Sequence, residues 1–183
     1  NYYLSIMLCI FLALYFIVLL IARDPKDERS SAALSFSWLG NLKNFYWRAI
    51  IRFALYSLLA GAMAAILLMP ELAALKFTEF SDISFPKKLN IYFPVADMAA
   101  RHFFNVTVET GLDHWPNIYC GVAVFLLMPL YVLQKKIPLR EKAPKLALLG
   151  FILISFSTNM LNFIWHGLNY PDSLPARQSF LYI

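Results

Sequence analysis

Charged residues are scarce in this 183-residue chain: Asp, Glu, Lys and Arg make up 15% of it, against 60% hydrophobic residues. A soluble domain has roughly 25% charged and 45–50% apolar residues, so a chain with this balance and a mean hydropathy of +0.60 reads as membrane protein. Cysteine is nearly absent. Cys9 lies deep in one apolar run and Cys120 at the mouth of another, without metal-ligand or CxxC spacing, and both read as packing residues. A signal peptide is missing too: "NYY" is no basic n-region and "LLIARDPKDE" no cleavage site, so the first apolar run is expected to persist as a helix. The net charge of +5 does not point to nucleic acid, because the positive residues gather in short loops beside apolar runs. There is no internal repeat and no low-complexity tract.

What is present is a series of long uncharged runs. Residues 4–22, 49–69, 117–134 and 146–164 qualify as spans, and a fifth begins near Pro175. Backbone amides in hydrocarbon have no water to bond, so the predicted fold is all-α, a polytopic bundle of about four spans plus the start of a fifth. Arg52, near one end of its span, can extend its guanidinium to the interface. The segment 23–48 carries Arg23, Lys26, Arg29, Lys43 and Arg48, and 135–145 carries Lys135, Lys136, Arg140, Lys142 and Lys145, which assigns both to the cytoplasm. Residues 70–116 and 165–175 then face outside. Two loop segments have a helical face: Leu34, Trp38, Leu42, Phe45 and Tyr46 inside, and Val95, Met98, Ala99, His102 and Phe103 outside.

The fourth run becomes polar toward its outer end, with Ser155, Ser157, Thr158, Asn159 and Asn162. Such groups need partners in hydrocarbon, which leaves interhelical hydrogen bonding or the wall of a wet cavity. The next stretch, "WHGLNYPDSLPARQSF" at 165–180, is punctuated by Gly167, Pro171 and Pro175 and reads as a tight turn back into the membrane. Asp172 or Ser173 is placed to cap the next helix, with Pro175 and Arg177 in its first turn. Helix N-terminal amides and a guanidinium fork both suit phosphate oxygens, so this hairpin is a candidate anion site at the outer face. Trp165, His166 and Tyr170 would wall it. Each residue also has a structural reading: Trp165 and Tyr170 as interfacial aromatics, His166 as a bonded structural histidine, Asp172 as a cap, Arg177 as its ion-pair partner.

That tract resembles the hallmark segment of the bacterial YfhO family, large polytopic membrane proteins in which Trp-His-Gly is followed by an aromatic, Pro-Asn or Pro-Asp, Leu-Pro, an Arg and Ser-Phe. "PNIYCG" at 116–121, "KKIPLREK" at 135–142 and "LLMPELAALK" at 67–76 agree with the family as well. The family often carries an aromatic where Ala176 or Gln178 stands here. The resemblance implies a GT-C-like glycosyltransferase that takes a sugar from an undecaprenyl-phosphate carrier and gives it to an extracytoplasmic polymer such as teichoic acid. It implies Arg177 as the phosphate ligand with His166 assisting, and Asn159, Asn162, Asn169, Tyr170, Asp172 and Trp165 around the substrate. It also implies a catalytic acidic residue in a first outer loop upstream of Asn1, this chain being an internal segment, and a divalent metal in many members, for which no ligand cluster is visible in the sequence. A transporter or flippase for a lipid-linked or anionic solute is the alternative, with Pro129 as its candidate helix break.

Overall fold

The computed structural model describes residues 2–22, 45–75, 85–103, 115–168 and 176–183. The described residues are helical, without strands: α1 (Tyr2–Ala22), α2 (Phe45–Leu75), α3 (Val95–Ala100), α4 (Val122–Leu133), α5 (Leu139–Ser157), α6 (Asn159–Trp165) and a 3-10 turn (Arg177–Leu181). The chain divides into two compact units, Arg23–Asp82 on one hand and Asn1–Ala22 with Ile83–Ile183 on the other. The inner-loop amphipathic helix predicted from Leu34 to Tyr46 falls mostly outside the described residues.

α2 is the described part of the first unit. Its apolar residues stand out from it on all sides: Leu58 is 74% exposed, Met63 74% and Ile66 82%. Water does not tolerate a 31-residue helix of this kind, and hydrocarbon does.

In the second unit α1 packs along α5, and both also meet the chain's final segments. The pairing is antiparallel: the Arg140 Nε at the start of α5 donates to the Ile21 carbonyl at the end of α1, at 2.8 Å. α4 and α5 are joined by a short turn whose geometry Lys142 holds, its ammonium donating to the Val132 carbonyl at 2.9 Å and to that of Gln134. A buried lysine is tolerable here because its three donors meet the orphan carbonyls of a helix C-terminus.

The structure corrects the predicted count of spans. Among the described residues two helices are long and apolar enough to cross a bilayer, Tyr3–Ala22 and Tyr46–Glu71. The run 117–134 yields only the 12 residues of α4, about 18 Å at 1.5 Å per residue against a hydrocarbon core of about 30 Å. Its first part is extended, up to Gly121 at φ 99°, and Arg101 fastens it by donating to the Pro116 carbonyl at 3.0 Å and the Asn117 amide oxygen at 3.1 Å. The run 146–164 is broken between α5 and α6, where Thr158 is extended at φ −103°, ψ 127°. The start of the fifth is a 3-10 turn rather than an α-helix. Pro129, by contrast, lies inside continuous α4.

The break at Thr158 is closed by residues 88–93. Tyr92 N–H donates to the Ser157 carbonyl at 2.7 Å, and Asn159 N–H donates to the Asn90 carbonyl at 3.1 Å, with Ile91 and Thr158 paired as in an antiparallel bridge. Side chains double these bonds. The Asn159 amide accepts from Asn90 N–H at 2.9 Å and donates to the Lys88 carbonyl at 2.8 Å, while the Ser157 hydroxyl donates to the Phe93 carbonyl. The polar end of the predicted fourth span is thus a clamp on the loop that precedes α3. Below it lies the core of Met7, Phe93, Met98, Ile118, Ile152, Phe156 and Trp165, with Phe93 tilted on Trp115 at 4.4 Å. Met98 enters that core from α3, on the face predicted for it.

Asn159→Ala removes both side-chain bonds and leaves the Asn90 amide and Lys88 carbonyl without them. The expected loss is about 1–3 kcal/mol, read as a lower thermal midpoint and faster trypsin cleavage at Lys87 and Lys88; unchanged cleavage would show that the clamp does not hold the loop.

Candidate functional site

The Trp-His-Gly tract is the end of α6, and its geometry explains its composition. Leu168 N–H donates to the Phe163 carbonyl at 2.9 Å and Gly167 N–H to the Ile164 carbonyl at 3.1 Å, the paired bonds of a Schellman ending. Gly167 takes the left-handed conformation this requires, at φ 70°. His166 is the C-cap residue, and its ring turns back along the helix.

The His166 Nδ1 lies 2.7 Å from the Asn162 carbonyl oxygen, which only accepts, so Nδ1 carries the proton and donates. The neutral ring then presents a bare lone pair at Nε2, which is buried and has no partner among the described residues. Burial is the main force keeping this imidazole neutral, pushing its pKa below 6.5; the nearby Arg177 charge acts in the same direction, and the bond to Asn162 opposes them.

Arg177 does not point into bulk solvent. Its guanidinium carbon sits 5.6 Å from the centre of the Tyr3 ring, and that same ring meets His166 edge-on at 6.0 Å. A tyrosine at the start of α1 therefore carries the cation on its ring beside the histidine. The Arg177 Nε is buried and unpartnered among the described residues.

Asn162 joins these parts. Its amide nitrogen donates to the Phe156 carbonyl at 3.1 Å, and its amide oxygen accepts from Ala176 N–H at 3.2 Å and from the Gln178 amide at 3.3 Å. The bond from Ala176 helps hold that residue in a left-handed conformation, φ 63°, which costs an alanine about 1–2 kcal/mol. An aromatic side chain, common in the family at this place, would have to enter a buried position in the same strained conformation. Gln178 is fully buried. Its amide nitrogen faces the Ser155 carbonyl and hydroxyl, both at 3.4 Å, which turns its oxygen away to a position without a partner.

The predicted site is therefore gathered in part. His166, Arg177 and Asn162 come together. Trp165 is 1% exposed and belongs to the core, so it is neither a cavity wall nor an interfacial aromatic. Asn159 and Asn162 use their amides within the chain, as clamp and hub. Asn169, Tyr170 and Asp172 lie outside the described residues. The expected α-helical N-terminus at Arg177 is replaced by a five-residue 3-10 turn with Ala176 before it, so aligned helix amides contribute little there and the guanidinium carries the positive charge. Tyr3 and Gln178 were not predicted. Nothing in spacing marks Tyr3; Gln178, a long polar residue in an apolar stretch beside Arg177, was visible as an oddity.

A second histidine behaves alike. The His102 Nδ1 faces the Met98 and Ala99 carbonyls at 3.1 and 3.3 Å, and its Nε2 accepts from the Tyr182 hydroxyl at 2.9 Å. The pair borders an apolar cavity of about 370 Å³ lined also by Cys120, Met128 and Leu149. Both cysteines are free thiols, Cys9 exposed on α1 and Cys120 half-buried. Among the described residues no group of three or more His, Cys, Asp or Glu is gathered as a metal site.

The depressed pKa of His166 fixes a pH dependence. Between the folded and unfolded pKa values the unfolded chain binds a proton that the folded chain refuses, so stability present above about pH 6.5 declines as pH falls through the window below it. The thermal midpoint of the detergent-solubilised protein is expected to drop across that window, and His166→Gln to remove this component. An identical acid slope in His166→Gln would contradict the assignment.

Comparison with known proteins now adds identity to this geometry. No curated protein and no solved structure matches the chain. A family model described as bacterial membrane protein YfhO matches residues 1–183, the entire chain. With the Trp-His-Gly ending, the Arg177 cation and the lipid-facing helices placed by the structure, the chain belongs to the YfhO family of bacterial membrane proteins.

Proposed function

We propose that this chain is part of an extracytoplasmic glycosyltransferase that moves a sugar from a polyprenyl-phosphate carrier to a cell-wall polymer such as teichoic acid. The observation that carries the reading is the cation of Arg177, fixed over the Tyr3 ring beside a neutral histidine, in the tract that marks the family. As the anomeric carbon leaves its phosphate, charge returns to the phosphate oxygens, and a guanidinium already in place stabilises that charge without reorganising. His166, uncharged, leaves this electrostatic task to Arg177. The carboxylate that takes the acceptor's proton is assigned to a residue upstream of Asn1. The adjacency of Ile21 and Arg140 supports putting the basic segments 23–48 and 135–145 on one side, the cytoplasmic one, and 165–175 on the other.

The discontinuity at Thr158 favours a second reading, since interrupted helices mark the binding sites of many transporters. Here the interruption is filled by residues 88–93 rather than open, which weighs against it.

The intact protein, purified in detergent, is expected to transfer sugar from a polyprenyl-phosphate donor, a result that transport alone does not give. Arg177→Ala is expected to lower the rate by about 10²–10³ at unchanged expression. Arg177→Lys is expected to fall as well, because an ammonium lacks the planar fork and stack. Full activity in both variants would remove Arg177 from the mechanism.

A further inference from the structure

The buried polar atoms left without partners are not scattered in this region. His166 Nε2, Arg177 Nε and Gln178 Oε1 are all unpaired among the described residues, and all belong to side chains gathered around Asn162. An unmade hydrogen bond at a buried polar atom costs about 1–3 kcal/mol, so three together call for an occupant. Their chemistry says which kind. Arg177 Nε carries a proton and donates. His166 Nε2 is a lone pair, because Nδ1 holds the ring's proton against the Asn162 carbonyl. Gln178 Oε1 is also a lone pair, because its nitrogen must face the Ser155 carbonyl. A phosphate alone satisfies only the first of these. It has no protons for two acceptors, and its oxygens would meet their lone pairs.

We propose that His166, Arg177 and Gln178 form a subsite for a vicinal diol borne on a phosphate ester, the arrangement of a sugar phosphate. The two hydroxyls donate to His166 Nε2 and Gln178 Oε1, and Arg177 Nε–H donates to an oxygen of the same ligand. The inference rests on the glycosyltransferase reading for the source of that ligand and extends it: Gln178 is a binding residue, and recognition of the sugar is divided from recognition of the charge. Bare carrier returning after transfer engages Arg177 but leaves the two acceptors unfilled, so the subsite separates loaded from spent carrier.

The test uses the intact protein in detergent with ¹⁵N-labelled histidine, the His166 resonances being assigned by His166→Gln. The probes are polyprenyl phosphate, its glucosyl and N-acetylglucosaminyl esters, and free glucose 1-phosphate. The starting spectrum is that of a neutral ring protonated at Nδ1. A sugar ester is expected to shift the Nε2 resonance, and bare polyprenyl phosphate to leave it in place. A shift with the lipid esters alone assigns the subsite to carrier-borne sugar, and a shift with glucose 1-phosphate as well assigns it to the sugar phosphate itself. Gln178→Met, of similar length but without the acceptor, is expected to weaken ester binding about tenfold relative to bare phosphate. No Nε2 shift with any ester, the mark of an ordered water only, or an equal shift with bare phosphate, overturns the proposal. Should Gln178→Met fail to fold, the resonance titration of the unsubstituted protein decides. Sugar transfer without the Nε2 shift refutes the subsite alone, and the shift without transfer refutes the glycosyltransferase reading alone.

Discussion

A helix in a membrane cannot be interrupted unless the amides and carbonyls it frees find new partners, and the break at Thr158 is where this chain meets that constraint. Every group freed there that the structure describes is taken up by residues 88–93 or by the side chains of Ser157 and Asn159. The break gives α6 its own short axis, distinct from the continuation of α5. At the end of α6 the Schellman turn places His166, and one turn earlier Asn162 reaches across to Ala176 and Gln178. The site near Arg177 is thus a consequence of how the broken helix is repaired.

This accounts for the unusual polarity of residues 155–162. In an unbroken span, Ser155, Ser157, Thr158, Asn159 and Asn162 would face hydrocarbon at a cost or seek neighbouring helices. In the observed arrangement they bond chiefly to backbone, which makes them supports for two segments that have little regular structure of their own. The same economy is seen at His102, which ties α3 to Tyr182 near the chain's last residues. Both histidines are held by helix carbonyls at Nδ1, and they differ in what Nε2 meets: a tyrosine hydroxyl for His102, nothing described for His166.

Composition and run length were enough to read the all-helical membrane character and to bound α1 within two residues. They were not enough to count spans. A hydropathy window sees "LALLGFILISFSTNMLNFI" as one run, because Thr158 is extended for reasons that lie in residues 88–93, far along the chain. The shortness of α4 has a similar origin: Arg101 fastens Pro116 and Asn117 in an extended path, and nothing local to 116–121 forbids a helix except the turn at Gly121. At the site, Arg177 and His166 stood out by type and by the family tract. Their shared neighbour Tyr3 did not, since its role depends on α1 lying antiparallel to α5. The Schellman geometry was implicit in Gly167, and the left-handed Ala176 was hidden because alanine rarely adopts it.

The central claim is that the Arg177 cation, seated on Tyr3 next to an uncharged His166, is where the family's lipid carrier puts its phosphate. An experimental structure of the intact protein with polyprenyl phosphate bound tests this most directly. The account predicts the phosphate within hydrogen-bonding distance of the Arg177 guanidinium, with His166 still donating from Nδ1 to Asn162. A phosphate held by other basic residues, with Arg177 unchanged against Tyr3, would contradict it.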